Sequence, residues 1–253
     1  MDFSWLTRRP IAHRGLHDAR LGRIENTLSA ARAAVERGFS IECDVSLSAD
    51  EEVVVFHDDT LERLTMAEGR IGDRRFADLA GLAMRGGDDH IPSLGQLLDT
   101  IAGRVGLVIE LKSAFGPVVE ERLAERVAEV LAGYTGPVVT KSFDPRLIVA
   151  MRRHLPDLAH GIVAERADDP VWYGGMSAVG RFALTHLLHA PWSRPDFVSY
   201  SIRDLPAPGP WALRRLFGRP VITWTVASPA DAAKAMRHAD QIVFEGFDPD
   251  RIA

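Results

Sequence analysis

The chain has 253 residues, 46% hydrophobic and 26% charged, which is material for one large domain or two small ones. A net charge of −5 gives no reason to expect nucleic acid as a partner, and the single cysteine, Cys43, excludes an intrachain disulfide. No window approaches the roughly 18 apolar residues of a membrane span, and the first fifteen residues lack the apolar run of a signal peptide, so the expectation is a cytoplasmic protein without stable membrane insertion.

In chain order, Arg9 and Pro10 lead into IAHRG, a short apolar run ending at His13, Arg14 and Gly15. After a loop come Glu25, Asn26 and Thr27. LSAARAAVERG then has helical spacing, with Asn26 or Thr27 as its cap and Gly38 as its stop. SIECDV, residues 40–45, reads as a buried strand: Ile41, Cys43 and Val45 face one way, Glu42 and Asp44 the other. Cys43 then packs as a small core hydrophobe in the opposite layer. Val53 to Phe56 is a β-branched run ending in His57 and Asp58, an extra strand hairpinned beside SIECDV.

Residues 59–93 fit no βα rhythm and carry Gly69, Gly72, Gly86, Gly87 and a polar DDH, which suggests an inserted subdomain or flap. A helix restarts after Ser93, and GLVIELK, 106–112, is a strand that carries Glu110 and Lys112 at its end. An amphipathic helix follows over 118–133. Strands and helices then alternate: PVVTKSFD, a helix from Pro145, AHGIVAE, a helix over 177–190, DFVSYSI, a helix over 210–218, VITWTV, a helix over 229–240 and QIVFEGF. Eight strands taking turns with helices predict a parallel (β/α)8 TIM barrel, one domain over 1–253; an open doubly wound sheet would look similar.

In a barrel, reactive groups belong at the C-terminal ends of strands, and the ionisable residues fall there. Burying adjacent carboxylates is costly without compensation. A hard divalent cation held by Glu42, Asp44 and Glu110 would offset that cost, since Mg²⁺ and Ca²⁺ prefer oxygen ligands; a solvated face or pairing with Arg would do so too. Arg14 and Lys112 add the positive charge a phosphate needs. His13 and His57 are two imidazoles for proton transfer near neutral pH. Together the parts describe phosphodiester cleavage.

IAHRG, then ENT, ECDV, VVVFHD and IELK, in that order, resemble the glycerophosphodiester phosphodiesterase family, and the late WTV strand extends the resemblance over nearly the whole chain. It implies a TIM barrel with a small insertion after the HD motif and hydrolysis of glycerophosphodiesters to sn-glycerol 3-phosphate and an alcohol. It also implies one divalent cation, Mg²⁺ or Ca²⁺. By the same resemblance His13 and His57 are the catalytic pair, and Glu42, Asp44 and Glu110 the metal ligands. Arg14 and Lys112 hold the phosphate. Trp224 lies against the substrate or, equally, serves as a core aromatic. Glu25 and Asn26 orient the ligands and cap the helix, direct metal contact by Glu25 being a lesser alternative, and Asp58 buttresses its neighbours.

Three departures stand out. The last strand reads FEGFDP, which puts Glu245 where the family has a Thr-Asp or similar pair. The last helix is truncated, which leaves room for a second subunit, as in a homodimer, to complete the barrel. Lys141 stands where a neutral residue is usual, and could face a phosphate, Glu110 or Glu165. An alternative activity is lysophospholipase D-like hydrolysis of lipid phosphodiesters, for which the stretch 170–192, with Trp172, Tyr173 and Trp192, is the candidate apolar surface.

Overall fold

The structure is a computed structural model, and it describes residues 2–251 apart from 117, 118 and 120. Nine strands form one sheet: β1 Ile11–Ala12, β2 Ser40–Leu47, β3 Val53–Val55, β4 Leu107–Leu111, β5 Val138–Ser142, β6 His160–Ala164, β7 Phe197–Ser201, β8 Val221–Val226 and β9 Gln241–Phe244. All but β3 pair in parallel, in the ring order β1, β2, β4, β5, β6, β7, β8, β9, and β9 returns to β1 through Ile11↔Val243 and Ala12↔Phe244. This is the TIM barrel, not the open sheet. The ring closes within one chain, so the expectation that a second subunit completes it is corrected: no partner strand is needed. β3 lies outside the ring, antiparallel to the end of β2, as the hairpin reading predicts.

Alternation along the strands sorts residues into two layers. Ile41, Cys43 and Val45 point outward, into a core shared with Leu97 and Leu98 of the helix Leu94–Ile101. Inward, the N-terminal end of the barrel is filled by Leu6, Ile11, Val108, Val139, Phe197, Ile222 and Val243. Leu6 comes from a 3₁₀ turn, Ser4–Thr7, that plugs the floor. Its neighbour Trp5 lies so close over Gly106 that a Cβ there would meet the indole at 2.1 Å, so only glycine fits.

Helix ends follow the side chains that cap them. Thr27 accepts from the Ala30 amide, Asp144 from Arg146 and Ser228 from Asp231, while Ser93 and Gln96 form a reciprocal capping box. The helix expected over 177–190 is two, Ala178–Thr185 and Ala190–Ser193. Leu187, at φ 56°, takes a left-handed conformation that ends the run between them. The helix expected over 210–218 starts earlier, at Pro208. The helix over 118–133 is described as Glu121–Leu131; part of its expected first turn lies outside the described residues. Residues 59–93 wrap an apolar cluster of their own, with Leu61, Ile71, Leu79, Met84 and Ile91 packed on Val54 and Phe56. After β9 only a 3₁₀ turn, Pro249–Arg251, follows among the described residues, and Asp250 there pairs with Arg9 at 3.0 Å. No helix among the described residues is long and apolar enough to cross a membrane.

Candidate active site

Strand register brings the acids together. Asp44 on β2 lies opposite Glu110 on β4, and Glu110 opposite Lys141 on β5. Glu42 stands two residues before Asp44 on the same inward face. One oxygen from each of Glu42, Asp44 and Glu110 falls within 4.8 Å of those of the other two, and all three residues are buried. Three cations answer them. Lys112 Nζ is 3.1 Å from Asp44 Oδ1 and 3.0 Å from Glu110 Oε1. Lys141 Nζ is 2.9 Å from Glu42 Oε1 and 3.0 Å from Glu110 Oε2. Arg14 Nε is 3.3 Å from Asp44 Oδ2. Burial alone would raise the Asp44 and Glu110 carboxyls. The adjacent Lys112 ammonium and other cations reverse that, holding Asp44 well below the usual carboxylate range and Glu110 at about 2. Lys141 therefore faces Glu42 and Glu110, while Glu165 accepts instead from the Tyr173 hydroxyl at 3.1 Å.

The donor set is all oxygen and suits a hard divalent ion. The Lys141 contact leaves Glu42 Oε1 without a well-aligned hydrogen bond, so this buried oxygen has acceptor capacity to spare. Asn26 serves Asp44 twice: its Nδ2 donates to Oδ2 at 3.0 Å, and its Oδ1 accepts from the Asp44 amide at 3.3 Å. It is Thr27, not Asn26, that caps the helix. Glu25 lies apart from the converging acids, tied to Arg14 at 2.6 Å and to Arg63 at 2.8 and 2.9 Å. Burial would raise its carboxyl, but the Arg63 bonds and the Arg14 charge hold it at about 2.

Each imidazole is anchored through Nδ1 to a carboxylate. His13 Nδ1 is 2.6 Å from Glu245 Oε2, and His57 Nδ1 is 2.7 Å from Asp58 Oδ1. The His13 and His17 bonds hold the Glu245 carboxyl well below its ordinary value. Asp58 is also held low: burial opposes ionisation, but the His57 and Arg63 bonds outweigh it. Both acids are thus ionised and can only accept, so Nδ1 of each ring carries the proton. That leaves Nε2 of a neutral ring free as an acceptor. His13 Nε2 lies 3.9 Å from Glu42 Oε2, beside the converging acids. Arg63 joins Asp58 and Glu25 in one network, with its Nε 2.5 Å from Asp58.

His13, Arg14, Asp44, His57, Glu110 and Lys112 line one cavity of about 290 Å³ at the C-terminal mouth. Its opposite wall is aromatic: Phe115, Phe143, Trp172, Tyr173 and Trp224. Trp224 fits both readings of the sequence. It donates Nε1–H to the Ser199 carbonyl at 3.2 Å, stacks edge-on with Phe143 at 5.5 Å, and still lines the cavity.

Reasoning from sequence missed Arg63, which sits in the insertion with no motif around it, and two aromatics of the cavity wall, Phe115 and Phe143. For Phe143 a signal existed, since it directly follows β5, two residues after Lys141. The partner of Glu245 was also missed, because the His13 contact spans 232 residues and depends on the β1–β9 register.

Comparison with known proteins agrees with this architecture. Residues 13–245 match the model of the glycerophosphoryl diester phosphodiesterase family. A glycerophosphodiester phosphodiesterase of Caldanaerobacter subterraneus subsp. tengcongensis is 32% identical over 163 residues, covering 60% of this chain and 65% of that relative. The chain thus spans a little under two thirds of that relative's length. The solved structure of an Oleispira antarctica phosphodiesterase in complex with the product sn-glycerol-3-phosphate superposes with TM-score 0.77 at 24% identity, covering 96% of this chain and 94% of that one. A Thermotoga maritima glycerophosphodiester phosphodiesterase gives TM-score 0.69 at 24% identity, with 94% of each chain covered. These two structures share the fold.

Proposed function

The chain belongs to the glycerophosphoryl diester phosphodiesterase family, and from that premise we propose that it is a metal-dependent hydrolase. It cleaves glycerophosphodiesters to sn-glycerol 3-phosphate and an alcohol. The whole chain works as one domain, with 59–93 as its insertion, and cytoplasmic residence belongs to the same reading. The observation that carries it is the convergence of three buried carboxylates beside two carboxylate-anchored histidines in one cavity. The product bound by the Oleispira phosphodiesterase supports the substrate class.

In this mechanism Glu42, Asp44 and Glu110 would hold the cation, Mg²⁺ or Ca²⁺, with Asn26 fixing the Asp44 carboxylate. When bound, such an ion supplies Lewis-acid stabilisation of charge on the phosphoryl oxygens. Lys112, a quarter exposed at the mouth, and Arg14 turn their donors toward the phosphate. One histidine accepts a proton at Nε2 from the attacking water or, where the substrate's own adjacent hydroxyl attacks, from that hydroxyl, water then opening the cyclic phosphate to sn-glycerol 3-phosphate. The other, protonated at Nε2, gives its proton to the leaving alkoxide as the P–O bond breaks. Glu245 and Asp58 keep both rings in the required tautomer and stabilise the imidazolium. Glu25 and Arg63 hold Arg14 and Asp58 in place. Trp224 and the aromatic wall border the leaving group.

The test is an assay of chelator-treated protein on glycerophosphocholine, followed by release of sn-glycerol 3-phosphate. Activity should vanish with EDTA and return with Mg²⁺ or Ca²⁺. Undiminished turnover after chelation would remove the metal from the mechanism, and no glycerol phosphate under any condition would remove the substrate class.

A lysophospholipase D-like activity is the second reading, favoured by one feature. Trp172, Val179, Phe182, Leu188 and Trp192 are all exposed on the excursion between β6 and β7. A groove there shares Phe115 with the active-site cavity. Choline release from lysophosphatidylcholine at a rate above that from glycerophosphocholine would favour this reading.

A further inference from the structure

The cations at the mouth differ in their freedom to move. The Lys112 and Arg14 side chains keep 25% and 17% of their exposure, and both line the cavity. Lys141 keeps 2%. Its strand neighbours are Glu110 on one side and Gly161 on the other, and the space above Gly161 is taken by the Phe197 ring, which an added Cβ would meet at 2.3 Å. The other acid considered for Lys141, Glu165, is engaged by Tyr173. Lys112 can leave Asp44 and Glu110 for an incoming phosphate. Lys141 borders the same cavity but is only 2% exposed, held between Glu42 at 2.9 Å and Glu110 at 3.0 Å.

We propose that Lys141 is a resident cation of the metal cage: it stays between Glu42 and Glu110 when the divalent ion binds, and thereby sets how weakly that ion is held. This rests on the metal-dependent reading above. Glu42, Asp44 and Glu110 carry three negative charges. With the Lys141 ammonium about 3 Å from two of them, the acids and Lys141 sum to −2, and Lys112 on Asp44 and Glu110 and Arg14 on Asp44 lower further the negative charge an arriving ion meets. Part of the attraction of those two acids is already spent, and the ammonium repels the ion at short range in a medium that screens poorly. The same ammonium lets the acids stay buried and ionised before any metal arrives, since unpaired buried carboxylates are costly. Lys141 is thus a positioning residue for Glu42 and Glu110, and it makes the cage both self-supporting and exchangeable.

The experiment is calorimetric titration of Mg²⁺ and of Ca²⁺ into chelator-treated wild type and Lys141→Gln, with melting temperatures measured with and without the ion. Lys141→Gln should bind the ion at least about tenfold more tightly, the direction charge repulsion dictates. Its metal-free melting temperature should fall below that of wild type, and saturating ion should restore most of the loss. If the variant folds only with metal, its folded fraction against Ca²⁺ concentration, read by circular dichroism, gives the intrinsic affinity once corrected for the folding equilibrium measured in denaturant. Unchanged or weaker binding overturns the inference, as does a chain that stays unfolded at saturating ion. A wild type that binds no divalent ion overturns the metal-dependent reading itself, which separates the two failures.

Discussion

The mouth of the barrel has two unlike halves. β1, β2, β4 and β5 bring His13, Glu42, Asp44, Glu110 and Lys141 to one side, nearly every polar atom engaged by an opposite charge. The far side, built from Phe115, Phe143, Trp172, Tyr173 and Trp224, is aromatic. The charged half is over-determined: moving one group disturbs several ion pairs, so its geometry is fixed before substrate arrives. The aromatic half has fewer ion pairs, its hydrogen bonds run from Tyr173 to Glu165 and from Trp224 to Ser199, and Trp172 is 61% exposed. On the proposed function, chemistry belongs to the first half and choice of leaving group to the second, where contacts are additive and easily altered.

Substitutions can break or sharpen that contrast. The largest effect is expected for Asp44→Asn, which keeps the shape but removes a charge shared by Lys112, Arg14 and the cation. Turnover should drop by roughly 10²–10³-fold or more, and metal affinity should fall with it. A variant within about fivefold of wild type would show that the charged half is not where catalysis resides. Glu245→Gln comes next. The amide can hold the His13 ring but cannot stabilise its imidazolium, so kcat should fall roughly 10–100-fold with little change in KM. An unchanged kcat at every pH would relegate Glu245 to packing. The smallest effect is expected for Trp172→Ala. For substrates with bulky apolar alcohols kcat/KM should fall about tenfold, the scale of one lost apolar contact, while those with small polar alcohols should hardly change. Equal losses for both would erase the division of labour.

Much of this was legible in the sequence because it is local. Strand alternation puts Glu42 and Asp44 on one face whatever surrounds them, and His57 and Asp58 are adjacent in sequence and in their hydrogen bond. The eight parallel strands follow from the rhythm of alternation, but closure into a ring rests on the β1–β9 pairing. What was not legible depends on register between distant segments. Alternation turns Lys141 inward but does not choose among a phosphate, Glu110 and Glu165; the β4–β5 pairing sets it beside Glu110, and its contact with Glu42 was not foreseen. Glu245 reaches His13 only because β9 pairs β1. The break at Leu187 was hidden because an apolar run such as ALTHLLHA suits a continuous helix equally well. Arg63 lay unseen because its partners, Glu25 and Asp58, come from separate loops.

β1 is two residues long and pairs on both sides, which makes it the narrowest joint in the hoop. His13 is the next residue, and its amide donates to the Phe244 carbonyl at 2.9 Å, adding a rung to that joint. Fastening the hoop and arming the imidazole are therefore a single act. A chain with this seam undone has lost the register that brings Glu245 to the ring.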